Sequence, residues 1–183
     1  MQTYLPYADF EKTAKCLDNK RLGCQRKECL QILQTLQVGP YQCYSRFLFS
    51  DTSLKPATKN EYLAYLKGEG NCSFGHVYRK TPWYNHPAVQ MWKGYEQALI
   101  EYADFICFEW ASRGFEENCR VKLTQFETLR FPIYPHWLGN EKVHVAYRSN
   151  LLRKNPQHYR QFWPNEPDNL PYYWPTKNID KPQ

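Results

Sequence analysis

Apolar residues recur at three- and four-residue steps through LDNKRLGCQRKECLQILQTL, residues 17–36. Leu22, Cys29, Leu30, Leu33 and Leu36 form one stripe, and that spacing predicts a helix with the stripe turned to a core. Asp18, Arg21, Gln25 and Glu28 recur at the same steps on another face, and Asp18 suits the N-cap. Periodicity alone leaves two readings of this polar face. Solvated surface is the commoner one, and the wall of a site is the other.

A second apolar series, Ala88, Met91/Trp92, Tyr95, Leu99, Tyr102, Ile106 and Trp110, predicts the longest helix, from Asn85-His86-Pro87 to Arg113-Gly114. Asn85 or His86 caps it, Pro87 fits its first turn and Gly114 stops it. It is too apolar for a surface helix, so it is expected to be central. Val143, Tyr147 and Leu151 stripe a third helix, capped by Asn140, with His144 and Arg148 one turn apart on an adjoining face. Shorter helices are expected over 9–17 (capped by Asp9), 61–67, 116–129 and after Asn155-Pro156. No stretch predicts a strand. Residues 38–82 read as a loop insertion holding the 61–67 helix, and the tail 164–183, with five prolines, reads as extended. Tyr4, Leu5 and Tyr7 are expected to tie down residues 1–8. The predicted fold is all-α: one compact helical bundle over 1–183, with a long central helix and irregular, aromatic-rich loops.

The composition suits a folded domain with its own core, at 183 residues, 42% hydrophobic and 23% charged. No run of about 18 apolar residues offers a membrane span. The N-terminus, MQTYLPYADF, has no signal-peptide pattern. The net charge of +6 is compatible with a polyanion. Seven cysteines, an odd number without a CxxC pair, suggest buried free thiols in a reducing intracellular compartment rather than zinc or disulfides. Aromatic residues reach 17%, many beside prolines and basic residues. They suit stacking on bases, or the more frequent packing of loops onto a helical body.

No phosphate loop, HExxH, GxSxG or ordered Ser/His/Asp set is present. Any chemistry must come from Glu, His, Arg and a terminal amine. An α-amine has a reference pKa of about 7.7–8.0 and is partly free base near neutrality, whereas lysine at about 10.4 needs a large shift. A carboxylate beside that amine can hold an iminium by charge and move protons.

Four segments, 17–33, 85–115, 136–163 and 168–175, together resemble the pyrimidine-dimer DNA glycosylase, or endonuclease V-like, family, in a cellular branch of it. The shared features are an N-terminal polar helix with Arg and Glu, a long helix after a His ending in Arg113-Gly114-Phe115, and a basic C-terminal part with an aromatic tail. The resemblance implies a compact all-α repair fold. It also implies a main-chain N-terminal amine that attacks C1′ of the lesion nucleotide, and a Glu that supports strand cleavage at the abasic site, with no metal or cofactor. Gln2 is large, so Met1 is expected to be retained and to carry the amine. The implied catalytic residues are Met1 and Glu28. The implied DNA contacts are Arg21, Gln25, Arg26, His86, His144, Arg148, Arg153 and Lys154, and His86 suits a capping role equally. Trp83, Tyr84, Tyr173 and Trp174 are candidates for base stacking, while Trp92 also fits the core. The implied partner is damaged or modified duplex DNA, bound by a monomer without a membrane. Two other readings stay open: a non-catalytic nucleic-acid-binding module on the same fold, and an interaction protein docking through the 40–82 loop.

Overall fold

Two aspartates set the first two helices. Asp9 accepts the Lys12 N–H at 2.7 Å and opens α1, Phe10–Cys16. Asp18 accepts the Arg21 N–H at 2.9 Å and opens α2, Asn19–Val38. Gly39, at φ 77°, closes α2 in a conformation that a side chain would strain. The computed structural model describes residues 2–45, 55–68, 76–126 and 131–175.

The series that predicts one helix from 85 to 113 gives two. His86 caps the short α4, Pro87–Gln90, and turns over residues 91–94 separate it from α5, Glu96–Ser112. Gly94 makes the break, with φ 85° and its N–H donated to the Glu96 carboxylate at 3.0 Å. The apolar period runs through because Met91 and Trp92 are buried from the turns themselves. At 20 residues α2 is therefore the longest described helix, and α5, its main packing partner, has 17.

The 116–129 helix is also corrected. Only Arg120–Leu123 forms it (α6), while residues 127–130 lie outside the described structure. Residues 115–118 instead form a loop in which the Glu117 carboxylate accepts the N–H groups of Cys119 and Arg120. Asn140 caps α7, Glu141–Lys154, as expected, and Asn155 caps α8, Pro156–Tyr159.

The insertion holds α3, Lys59–Lys67, and, against expectation, a small antiparallel sheet. Strand β1, Tyr41–Ser45, is central, with β2, Lys55–Pro56, on one side and β3, His76–Lys80, on the other. Gln42 pairs with Pro56 and Arg79, and Cys43 with Lys55 and Tyr78. The strands escape a hydrophobic pattern because the buried position of β1 is polar: Gln42 is 1% exposed. The described chain remains predominantly helical.

The core is aromatic. Trp92, Trp137, Tyr102, Tyr147 and Tyr159 are its largest fully buried side chains. Trp92 lies over Tyr102 at 6.2 Å and meets Trp137 edge-on at 5.2 Å, so it is a core residue. Cys16, Cys29, Cys107 and Cys119 are buried free thiols. Burial pushes the Cys16 thiol up to about 12, which removes it as a nucleophile near neutrality. Among the described residues, no helix is long and apolar enough to cross a membrane.

Gly23 sits inside α2 where Trp110 lies on the helix, and a Cβ there would come within 3.0 Å of the indole. The Arg26 guanidinium on one contact (4.3 Å), Phe115 stacked at 4.1 Å and an Nε1–H bond to Glu116 O hold that ring in place. Gly23→Ala would gain up to about 1 kcal/mol of helix propensity in an open helix. Here the fixed ring should make it net destabilising by about 1–2 kcal/mol, read by urea denaturation.

Candidate active site

Residues 2–7 have no regular secondary structure, and the helical body holds this entry strand of chain mainly through its backbone groups. From α2, Gln25 Oε1 accepts the Tyr4 N–H at 2.8 Å, and Gln25 Nε2 donates to Gln2 O at 2.9 Å. Glu28 Oε2 accepts the Gln2 N–H at 2.7 Å. From α5, Tyr102 donates its hydroxyl to Tyr4 O at 2.8 Å. The Trp92 indole N–H reaches Thr3 Oγ1 at 2.8 Å. From α7, His144 holds Leu5 O at 2.7 Å and Arg148 holds Pro6 O at 2.9 Å. The anchoring expected of Tyr4, Leu5 and Tyr7 is present, and most of it is polar. Met1 itself lies outside the described residues.

Glu28 and Gln25 thus share one turn of α2, with Gln25 fully buried behind and Glu28 half-buried in front. Glu28 Oε2 is engaged by Gln2 and, at 3.4 Å, by Gln25 Nε2. The Tyr4 ring packs edge-on against Tyr147 at 6.2 Å. Burial holds its phenol protonated, helped by the neighbouring Tyr172 hydroxyl and the Glu28 charge and opposed by the Arg21 charge. Glu28, Arg21 and Tyr172 therefore all lie close enough to Tyr4 to act on its phenol. Arg21 also pairs loosely with Asp18, at 3.7 Å.

From Tyr172 an aromatic row runs outward. Tyr172 stacks on Trp174 at 5.7 Å, Trp174 meets His86 edge-on at 5.9 Å, and His86 meets Trp83 at 5.5 Å. The Arg153 guanidinium lies 6.0 Å from the Tyr172 ring centre, and Lys154 beside it is exposed. Trp83 is 61% exposed and has φ 65°, a left-handed backbone that a bulky residue rarely adopts.

His86 takes the capping role expected of it. Its Nδ1 accepts the Ala88 N–H at 3.1 Å as the cap of α4, so in the neutral ring the proton must sit on Nε2. Burial holds its pKa below the ordinary histidine value. His86 is therefore a neutral donor at pH 7 and not a base.

Three expected DNA contacts are placed in the interior instead. Arg26 is 7% exposed, lies on Trp110 and pairs with Glu117 at 2.7 Å. Arg148 is 6% exposed and is shared between Glu166 at 2.7 Å, Glu141 and Pro6 O. His144 is 2% exposed with both ring nitrogens occupied. Leu5 O can only accept, so Nδ1 carries the proton, and Nε2 accepts the Gly139 N–H at 3.0 Å. Each of these side chains holds the scaffold. Tyr84 lies under Lys93, and Tyr173 packs on the core, so neither joins the aromatic row. Tyr4 and Tyr172 join the site unannounced. The signal for Tyr172 was present: in an extended tail residues two apart share a face, which pairs Tyr172 with Trp174 and turns Tyr173 away. No group of three His, Cys, Asp or Glu that could hold a metal occurs among the described residues.

Burial lowers the His144 and His86 pKa values. The unfolded chain takes up these protons near pH 6.5, the folded chain only at lower pH. Their contribution to stability is therefore full above about pH 6.5 and is lost as pH falls through the folded values. Thermal melts from pH 7.5 to 5.5 should show a falling Tm, and His144→Gln should flatten that slope.

The sequence model of the pyrimidine dimer DNA glycosylase family matches residues 1–123 of the 183. No curated protein and no solved structure matches the chain. The matched span contains residues 2–7, Arg21, Gln25, Glu28, Trp83 and His86, while α7 and the Tyr172–Trp174 tail lie beyond it. The match covers more than half of the chain and the whole polar face of α2: the chain belongs to the pyrimidine dimer DNA glycosylase family, a family of DNA-repair enzymes.

Proposed function

We propose that this protein excises a damaged pyrimidine from duplex DNA and then cleaves the strand as an AP lyase, using the α-amine of Met1 as nucleophile and Glu28 as the supporting carboxylate. The observation that carries the reading is the 2.7 Å bond from Gln2 N–H to Glu28 Oε2. Chain connectivity links the α-amine of residue 1 to that amide nitrogen through its Cα and carbonyl carbon alone. The Glu28 carboxylate is thus tied to the part of the chain where the amine must be.

In the proposed sequence the amine nitrogen bonds to C1′ and the base leaves with the glycosidic electron pair and a proton. Opening of the C1′–O4′ bond, with a proton to O4′, gives an iminium between the chain terminus and C1′. Loss of a C2′ proton then expels the 3′ phosphate, and water releases the imine. Oε2 is engaged by the main chain, which leaves Oε1 to face the iminium and accept the C2′ proton. Arg21, Arg153 and Lys154 are the cations that would hold phosphates. Trp83, Trp174 and Tyr172 offer faces to bases unstacked from the duplex. The neutral His86 would donate Nε2–H to an oxygen of the lesion nucleotide. Every group this reading uses lies on one chain, and the reading takes the protein to act as a monomer. Its free thiols suit a reducing compartment.

Borohydride trapping tests this reading. Protein mixed with abasic or ultraviolet-irradiated duplex should give a covalent adduct that disappears when the α-amine is blocked. Salt-dependent binding to the same duplexes with neither adduct nor strand breakage would instead establish a non-catalytic DNA-binding module.

A further inference from the structure

The polar face of α2 does not stop at Glu28. It continues through Gln31 and Gln34 into a cleft of about 290 Å³ between that helix and the inserted sheet. Gln42 from β1 and Arg79 from β3 line the far side, with Thr81 and Trp83 at the rim. Two buried polar atoms at this cleft have no partner: Gln42 Nε2, on a side chain only 1% exposed, and Thr81 Oγ1. A buried amide donor without a partner is costly, and buried polar groups in folded proteins are normally paired. Trp83 lines the same cleft and also ends the aromatic row of the active site.

The chemistry selects the occupant. Primary amides, two hydroxyls, the Arg79 guanidinium and one exposed indole face suit a flat heterocycle rich in hydrogen-bond acceptors, on a strand whose phosphates the cation favours. They carry no carboxylate to repel DNA. Gln42 Nε2 is a donor and requires an acceptor on that ring, such as a pyrimidine carbonyl or a purine N7 or O6. Distance keeps the choice to bases near the reacting nucleotide. Gln31 and Gln34 lie about 5 and 9 Å beyond Glu28 along α2 at the helical rise. That reach corresponds to one to three stacked base steps of about 3.4 Å along a strand.

We propose that this cleft receives the nucleobase next to the reacting nucleotide on the same strand, with Trp83 stacking on it and Gln42 reading an acceptor on its edge. The inserted sheet thereby adds a nucleobase contact beside the reacting nucleotide. The inference rests on the glycosylase reading of the neighbouring site.

The test uses the full chain and duplexes in which 2-aminopurine flanks an uncleavable tetrahydrofuran abasic analogue, on the same strand or on the opposite one. Wild-type protein should change the fluorescence of the same-strand neighbour. Gln42→Met, which keeps the volume and removes the donor, should weaken that response about tenfold in protein concentration, as should Gln34→Ala on the exposed rim. The Tm of unliganded Gln42→Met should hold or rise, because an unpartnered buried amide has been removed. If it fails to fold, Gln34→Ala carries the test alone. Equal responses from wild type and variants would overturn the proposal, and so would a response confined to the opposite-strand probe. Borohydride trapping on a true abasic duplex separates the two claims. A Gln42-dependent response without an adduct sinks the amine mechanism and keeps the cleft. An adduct with a Gln42-independent response sinks the cleft and keeps the mechanism. Absence of any DNA binding sinks both.

Discussion

Glu28→Gln should leave the fold standing and reduce the borohydride-trapped adduct and strand cleavage by about 10²–10³-fold, the scale of removing a positioned acid–base or charge-stabilising group. The substitution keeps the size of the side chain. Its amide oxygen can still accept the Gln2 N–H that Glu28 Oε2 now takes at 2.7 Å. What it loses is the negative charge and the capacity to take a proton. Thermal denaturation of the variant should therefore stay within about 1 kcal/mol of wild type, so that lost activity reports chemistry and not unfolding. An active Glu28→Gln protein would move the carboxylate role elsewhere and remove the main support for the amine mechanism.

Gln25→Ala should have the opposite signature, with stability and activity falling together. Gln25 is fully buried, and its amide accepts from Tyr4 N–H and donates to Gln2 O. Truncation leaves the buried Tyr4 N–H and the part-buried Gln2 C=O without this partner, at about 1–3 kcal/mol each, and opens a small cavity. A total loss of about 3–4 kcal/mol, measured in urea, is expected after partial relaxation. The entry strand also loses its alignment with Glu28, so cleavage should fall further than the remaining folded fraction explains. Activity that tracks only the folded fraction would show that strand alignment is unimportant. The two substitutions lie one helical turn apart, so their double mutant should be far from additive in activity.

The helices that carry these residues were legible because their signals are local. Asp9, Asp18 and Asn140 each cap the predicted helix, and the α2 stripe of Leu22, Cys29, Leu30 and Leu33 is buried. The site was only partly legible because a helical period gives a face and not its neighbour. Glu28 and Gln25 meet the entry strand, whereas Arg26, one residue on, turns to Glu117, and Arg148 and His144 turn to the carbonyls of Pro6 and Leu5. A cation on a polar face looks the same in sequence whether it waits for phosphate or binds a carboxylate 91 residues away. The sheet was missed for a different reason. Its buried position is Gln42, so alternation carried no apolar signal. The break at Gly94 was missed because burial continues through the turns.

The clasp of α7 on residues 5 and 6 has a consequence for the order of events in the cell. Synthesis proceeds from the N-terminus, and the entry strand cannot be fully held until His144 and Arg148 have left the ribosome. Throughout that interval the Leu5 and Pro6 carbonyls lack these partners, and the loosely held segment is open to aminopeptidases and acetyltransferases. Whether the proposed nucleophile remains a free amine is thus decided on the nascent chain, before there is an active site to protect it.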